Sequence, residues 1–168
     1  SRNKYLSNQL EDLNNLGYQV QELDLRNYFN KKDELEKLLK TIDLVWVTGG
    51  NTFILRRAMK QSGFDTLITN LVQTEQIVYA GFSAGSVVLH KDLHGIDITD
   101  DPKLIPDGYD DKIIWDGLGL IGFCIAVHYE SDHSETELTN KEIKFYKSNN
   151  IPYETLRDGE VIVIDGDK

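Results

Sequence analysis

Two stretches of the chain follow one plan, in which an apolar run stops at glycine and a helical pattern begins at once. Residues 43–48 read DLVWVT, followed by Gly49-Gly50 and NTFILRRAMKQ; residues 77–81 read IVYAG, followed by Phe82-Ser83 and AGSVVLH. A short unbroken apolar run is buried on both faces, as central parallel strands are, and parallel neighbours need a helical crossover between them. This pattern restricts the chain to an α/β architecture with a mostly parallel sheet flanked by helices.

The flanking sequence extends the alternation. Leu6, Leu10 and Leu13 recur at helical spacing before Gly17, which predicts a helix over residues 3–16 with a glycine cap. Residues 18–25, YQVQELDL, alternate as a strand does, and residues 31–41 return to helix. Asn51 is a good N-cap for a helix over 51–61, and a second helical pattern covers 64–75. Residues 91–117 break the rhythm with glycine, proline and many aspartates and read as a long irregular excursion, a type of loop more often functional than idle. Residues 121–128, IGFCIAVH, read as a strand, and residues 134–150 as a helix with Ser134 and Glu137 forming a capping box. IPYETL and EVIVIDG read as two short strands, a hairpin around Arg157-Asp158-Gly159.

A chain of 168 residues suffices for one hydrophobic core, so a single domain over 1–168 is expected. The net charge of −10 repels phosphate backbones and anionic lipid surfaces, which argues against nucleic acid and membrane partners. No apolar stretch approaches the roughly 20 residues that span a bilayer. The single cysteine, Cys124, excludes an internal disulfide and fits a reducing, cytoplasmic setting. The first residues, SRNKYL, lack an initiator methionine and read as processed or truncated.

Residues 81–85, GFSAG, match the G-x-S-x-G nucleophile elbow, in which a strand turns sharply into a helix and presents the serine hydroxyl. The same five residues also suit a purely structural turn. A serine nucleophile needs a base, and the chain offers His90, His94, His128 and His133. His90 lies two turns along the helix after Ser83, and His94 lies in the excursion. His128 ends a strand and so shares the carboxyl rim of the sheet with the elbow, which makes it the preferred base. His133 suggests a metal pair with His128 or Asp132, and His90 with His94 has i, i+4 spacing. For His133 a polar helix start is the preferred reading, and the His90–His94 pair has no third ligand of convincing spacing, so no metal is expected. The amide of Ala84 is one oxyanion donor, and the turn at Gly49-Gly50 can supply the second. A phosphate cradle there lacks the P-loop lysine. The carboxylate that orients the base stays open among Glu154, Asp158 and Glu160 and, in the excursion, Asp97, Asp100 and Asp101.

VTGGNTFILRRAM and YAGFSAGSVV, followed by GLGLIGFCIAVHY and LRDGEVIVIDG, resemble the S51-like peptidase family of dipeptidase E and cyanophycinase. The resemblance implies a flavodoxin-like three-layer fold of the class I glutamine amidotransferase type. It also implies Ser83 as nucleophile, His128 as base, Asp158 as the third triad member with Glu160 and Glu154 as fallbacks, and oxyanion donors at Gly50 and Ala84. Asn51 and Asp101 or its neighbour Asp100 are expected to line the substrate site. The implied activity is hydrolysis of short peptides, with N-terminal aspartyl residues favoured and Arg56, Arg57 or Arg157 as cations for the acidic side chain. No cofactor is needed, and a homodimer is the default expectation. Members of the family begin with a further strand and loop, so a segment outside these residues or a partner is expected to complete the sheet. Two other functions share the motif: a non-catalytic amidotransferase-like binding or regulatory domain, and an esterase or acyl transferase.

Overall fold

The structure, a computed structural model, describes residues 2–166, and side chains from residue 7 onward. In chain order the elements are α1 (Arg2–Asn15), a 3₁₀ turn (Leu25–Tyr28), α2 (Lys32–Leu39), β1 (Leu44–Val47), α3 (Thr52–Ser62), α4 (Phe64–Gln73), β2 (Val78–Gly81), α5 (Ala84–Val87), a 3₁₀ turn (Ile96–Ile98), β3 (Cys124–Ala126), α6 (Thr136–Ser148) and β4 (Tyr153–Thr155). Among the described residues, no helix is long and apolar enough to cross a membrane.

The apolar runs form parallel strands as expected, but neither is buried on both faces: Trp46 of β1 and Val78 of β2 are exposed. β1 pairs with β2 in register Val47↔Gly81, and β3 pairs with β4 in register Ala126↔Thr155. One apolar cluster packs Leu35, Leu39, Met59, Phe64 and Ile68 against Val45 of β1, and a second gathers Phe53, Val87, Leu93, Ala126, Ile143 and Tyr146. Val87 of α5 joins the elbow to β3, and just past α5 Leu118 and Leu120 donate their amides to the Val88 and Leu89 carbonyls.

Several elements depart from the sequence reading. Residues 18–24 form no strand: alternation yields a ladder only where a neighbour supplies hydrogen bonds, and here a cavity of about 1060 Å³, lined by Leu10, Leu13, Leu23, Val45 and Val47, separates this segment from β1. The Leu6 side chain falls outside the described residues. α5 is a single turn, so His90 does not lie on it; His90 is buried in a bridge with Ile121, its Nδ1 2.9 Å from the Asp92 carbonyl and 3.2 Å from Cys124 Sγ. α6 begins after Glu135 with no side-chain cap, in place of the Ser134–Glu137 box. β4 runs parallel to β3 rather than into a hairpin: the turn at 157–160 forms, with the Glu160 amide donating to the Arg157 carbonyl at 3.0 Å, but Val161 and Val163 beyond it are exposed and in no strand.

One buried acid sets a pH dependence. Glu142 of α6 is 4% exposed and accepts from the Thr99 hydroxyl. Burial, with Asp100, Glu135 and Asp97 adding repulsion, pushes its carboxyl from 4.5 up to about 7. The native state then holds this proton more tightly than the unfolded chain, so stability falls as pH rises from the unfolded value to about 7 and levels off above it. Glu142→Gln keeps the acceptor and removes the charge. It is expected to stabilise the protein by about 1–3 kcal/mol at pH 8 and by almost nothing at pH 4, read by urea unfolding at the two pH values.

Candidate active site

β2 ends at Gly81, and two residues later the backbone of Ser83 sits at φ 50°, ψ −127° before α5 begins. A non-glycine residue at positive φ is strained, and such strain persists only where the surrounding packing imposes it. The packing is visible on both sides of the elbow. A Cβ on Gly85 would lie 2.3 Å from the Val47 carbonyl oxygen, and one on Gly81 would lie 2.7 Å from the Gly85 carbonyl oxygen. Strand and helix therefore approach more closely than any side chain permits. The half-buried Tyr79 donates its hydroxyl to the Gly85 carbonyl at 2.6 Å, and desolvation raises its pKa, so it stays a donor.

The turn after β1 reaches the same point. A Cβ on Gly49 would lie 2.9 Å from Ser83 Cβ and 3.1 Å from its Oγ, which puts the Gly49-Gly50 backbone against the serine. Gly50 has φ 132°, and among the described residues neither its amide nor that of Ala84 donates a hydrogen bond. Two unpaired N–H groups thus flank the serine turn, from two neighbouring strand ends.

The α3 start is fastened to the excursion. Asn51 Oδ1 caps α3 by accepting from the Ile54 amide at 3.0 Å, and its Nδ2 donates to the Asp101 carbonyl at 3.1 Å. The Asp101 carboxylate accepts from the Lys103 amide, so both side chains expected in the substrate site are engaged in holding the loop. Asp100 accepts from the Thr52 amide at 2.7 Å, and burial raises its pKa. Arg57, fully buried, donates to the carbonyls of Pro102 and Lys112 at 2.8 and 3.1 Å; Arg56 is bonded to Asp65 at 3.0 Å and to the Asp116 carbonyl at 2.7 Å. These two arginines pin the excursion and the core, so they are not the expected substrate cations. Arg157 differs, lying at the surface in an ion pair with Glu130.

The second strand pair supplies the imidazole. The β3–β4 register carried two residues past Ala126↔Thr155 sets His128 level with residue 157, and His128 Nδ1 lies 2.6 Å from Asp158 Oδ1. A carboxylate only accepts, so Nδ1 is the donor, and in the neutral imidazole the lone pair is then on Nε2. Glu160 instead accepts from the Arg157 amide, and Glu154 lies exposed on β4. His128 also has positive φ, 59°, and its loop is braced from α6: the Thr136 hydroxyl donates to the His128 and Ser131 carbonyls, and the Asp158 amide donates to Ser131 Oγ at 2.8 Å. The described hydrogen bonds include none between Ser83 and His128; the group facing Nε2 is Glu135, with Oε2 at 3.8 Å. Glu135 escaped the sequence reading, although it stands two residues after His133, whose ring stacks on His128 with centroids 3.7 Å apart. His90 and His94 share no site: His94 Nδ1 bonds the Asp92 carboxylate and its ring stacks on Trp115.

The parallel strands, the elbow serine and the carboxylate-bound histidine beyond β3 together define an α/β protein with a candidate hydrolytic site. The model of peptidase family S51 matches residues 1–168, and the chain belongs to that family. It is 31% identical to an uncharacterized peptidase of Listeria innocua over 157 residues, covering 89% of this chain and 71% of the relative. It is 26% identical to a Drosophila melanogaster protein named probable alpha-aspartyl dipeptidase, covering 98% of this chain and 65% of that protein. A crystal structure of a candidate peptidase E from Listeria monocytogenes EGD-e superimposes with a TM-score of 0.79 at 29% identity, over 94% of this chain and 72% of the other. The fold is thus the flavodoxin-like one of class I glutamine amidotransferases.

Proposed function

We propose that the protein is a serine-type dipeptidase that cleaves short peptides with an N-terminal aspartyl residue. The observation that carries this reading is Ser83, held at positive φ on a glycine-packed elbow between two unpaired amides. In this mechanism Ser83 Oγ attacks the peptide carbonyl while His128 Nε2 takes its proton. The N–H groups of Gly50 and Ala84 stabilise the tetrahedral oxyanion, a contribution of roughly 3–4 kcal/mol per donor. The imidazolium then protonates the departing amine, and water, deprotonated by the same nitrogen, releases the acyl group. Asp158 holds the tautomer through its 2.6 Å bond to Nδ1. Serine–base contacts of this kind tighten when substrate fills the site.

The aspartyl preference rests on the name carried by the Drosophila relative, and Arg157, beside Asp158, is the surface cation offered to the acidic side chain. A cytoplasmic location belongs to the same proposal, supported by the unpaired, buried Cys124, whose thiol burial pushes up to about 12. The test is amine release from a dipeptide panel. Faster cleavage of aspartyl dipeptides than of their asparaginyl counterparts is expected, and equal rates would remove the aspartyl preference. Asp158→Asn, which preserves shape but not the tautomer, is expected to lower kcat by about 10³- to 10⁴-fold with an unchanged melting temperature. A loss under ten-fold would remove Asp158 from the mechanism.

A further inference from the structure

We propose that His128, His133 and Glu135 form a binding site for a zinc-type divalent cation, and that occupying it takes the His128 imidazole away from Ser83. The second half rests on the peptidase reading above; the first half does not. Each of the three residues offers one ligand atom, and those atoms all lie within 4.8 Å of one another. Glu135 Oε2 is 3.8 Å from His128 Nε2 and 3.9 Å from His133 Nδ1. In a tetrahedral zinc site with bonds near 2.0–2.1 Å, donor atoms stand about 3.3 Å apart, so the two Glu135 contacts need to close by about half an ångström and the imidazoles to reorient as well. Two nitrogens and one carboxylate oxygen are the ligand chemistry zinc accepts, and three protein ligands leave the fourth position to water.

The surroundings favour a cation independently of those distances. His128 already has its second nitrogen bonded to Asp158 at 2.6 Å, the carboxylate–histidine arrangement that fixes ligand orientation and raises ligand basicity at metal centres. The feature that makes Nε2 a good proton acceptor makes it an equally good ligand, so proton and metal compete for one lone pair. His128 is braced through its loop by Thr136, whereas the His133 side chain is about one-third exposed, its Nδ1 accepting from the Glu135 amide. Stacked imidazoles direct their lone pairs along parallel lines, so metal capture requires the His133 ring to swing out of the stack. It is the less buried of the two rings. Glu135 is 40% exposed and its carboxylate can follow.

The test uses zinc chloride with the wild type, His133→Ala and Glu135→Gln, read by calorimetry and by intact-mass labelling of Ser83 with a fluorophosphonate. The wild type should bind one zinc ion per chain, with affinity falling as pH is lowered because protons compete for the imidazoles. Each variant should weaken binding at least ten-fold. Zinc should slow labelling of the wild type at least ten-fold relative to its own zinc-free rate, while His133→Ala, compared with its own zinc-free rate, needs at least ten-fold more zinc for the same slowing. No binding, or binding unchanged in both variants, overturns the site. Binding that depends on His133 but leaves labelling untouched overturns the competition with Ser83. A protein that is never labelled, even without zinc, counts against the peptidase reading, and the calorimetry still decides the metal site.

Discussion

Replacing Ser83 with alanine is expected to reduce peptide hydrolysis by about 10⁴- to 10⁶-fold and to leave the fold intact. The hydroxyl is half-buried and makes no described hydrogen bond, so its removal leaves no buried partner unsatisfied. Ser83→Gly sharpens the expectation, because glycine accepts φ 50°, ψ −127° without strain. That variant should be as inactive as the alanine variant and more stable by about 1 kcal/mol, so activity and stability move in opposite directions. Thermal unfolding with hydrolysis assays on the same preparations checks both. A Ser83→Ala protein within ten-fold of wild-type turnover removes the serine from the chemistry.

The second large effect is on stability. A methyl group on Gly85 would stand 2.3 Å from the Val47 carbonyl oxygen and 2.9 Å from its carbon. Both are backbone atoms of β1, so no side chain can rotate away and the strand and α5 must separate. Gly85→Ala should cost about 3 kcal/mol, which for a chain of this size lowers the melting temperature by about 6–12 °C. Gly122→Ala is the control: a Cβ there would meet nothing within 4 Å, and the residue's φ is not positive, so the change should be nearly neutral. Because the same contact sets the elbow, the Gly85 variant should also lose activity at temperatures where it is still folded. Equal stability of the two variants would contradict the packing described.

The sequence patterns that proved legible were local. Apolar runs closed by glycine predicted β1 and β2 and the parallel pairing between them, Asn51 predicted its own cap, and the motif pair around Gly49 and Ser83 identified the family. What failed depended on distant partners. Residues 18–24 and 160–166 alternate as strands do, but pairing is a property of two segments, and neither segment pairs with a strand among the described residues. The His90 reading assumed that AGSVVLH stays helical, whereas α5 unwinds after one turn, where the Val88 and Leu89 carbonyls bind the amides of Leu118 and Leu120. Candidate site residues suffered the same limit. Nothing in LRDGE distinguishes Asp158 from Glu160; the choice appears only when the β3–β4 register sets one of them against His128. Arg56 and Arg57 look like free cations in sequence and are core fasteners in space.

On the proposed mechanism Ser83 is a chemically activated nucleophile rather than a small residue in a tight turn. The most direct test is intact mass after incubation with a fluorophosphonate, on the wild type and on Ser83→Ala. One adduct per chain is expected, absent from the variant. A folded wild type without an adduct, or an adduct that persists in Ser83→Ala, would contradict that mechanism and leave the elbow as architecture in a binding domain.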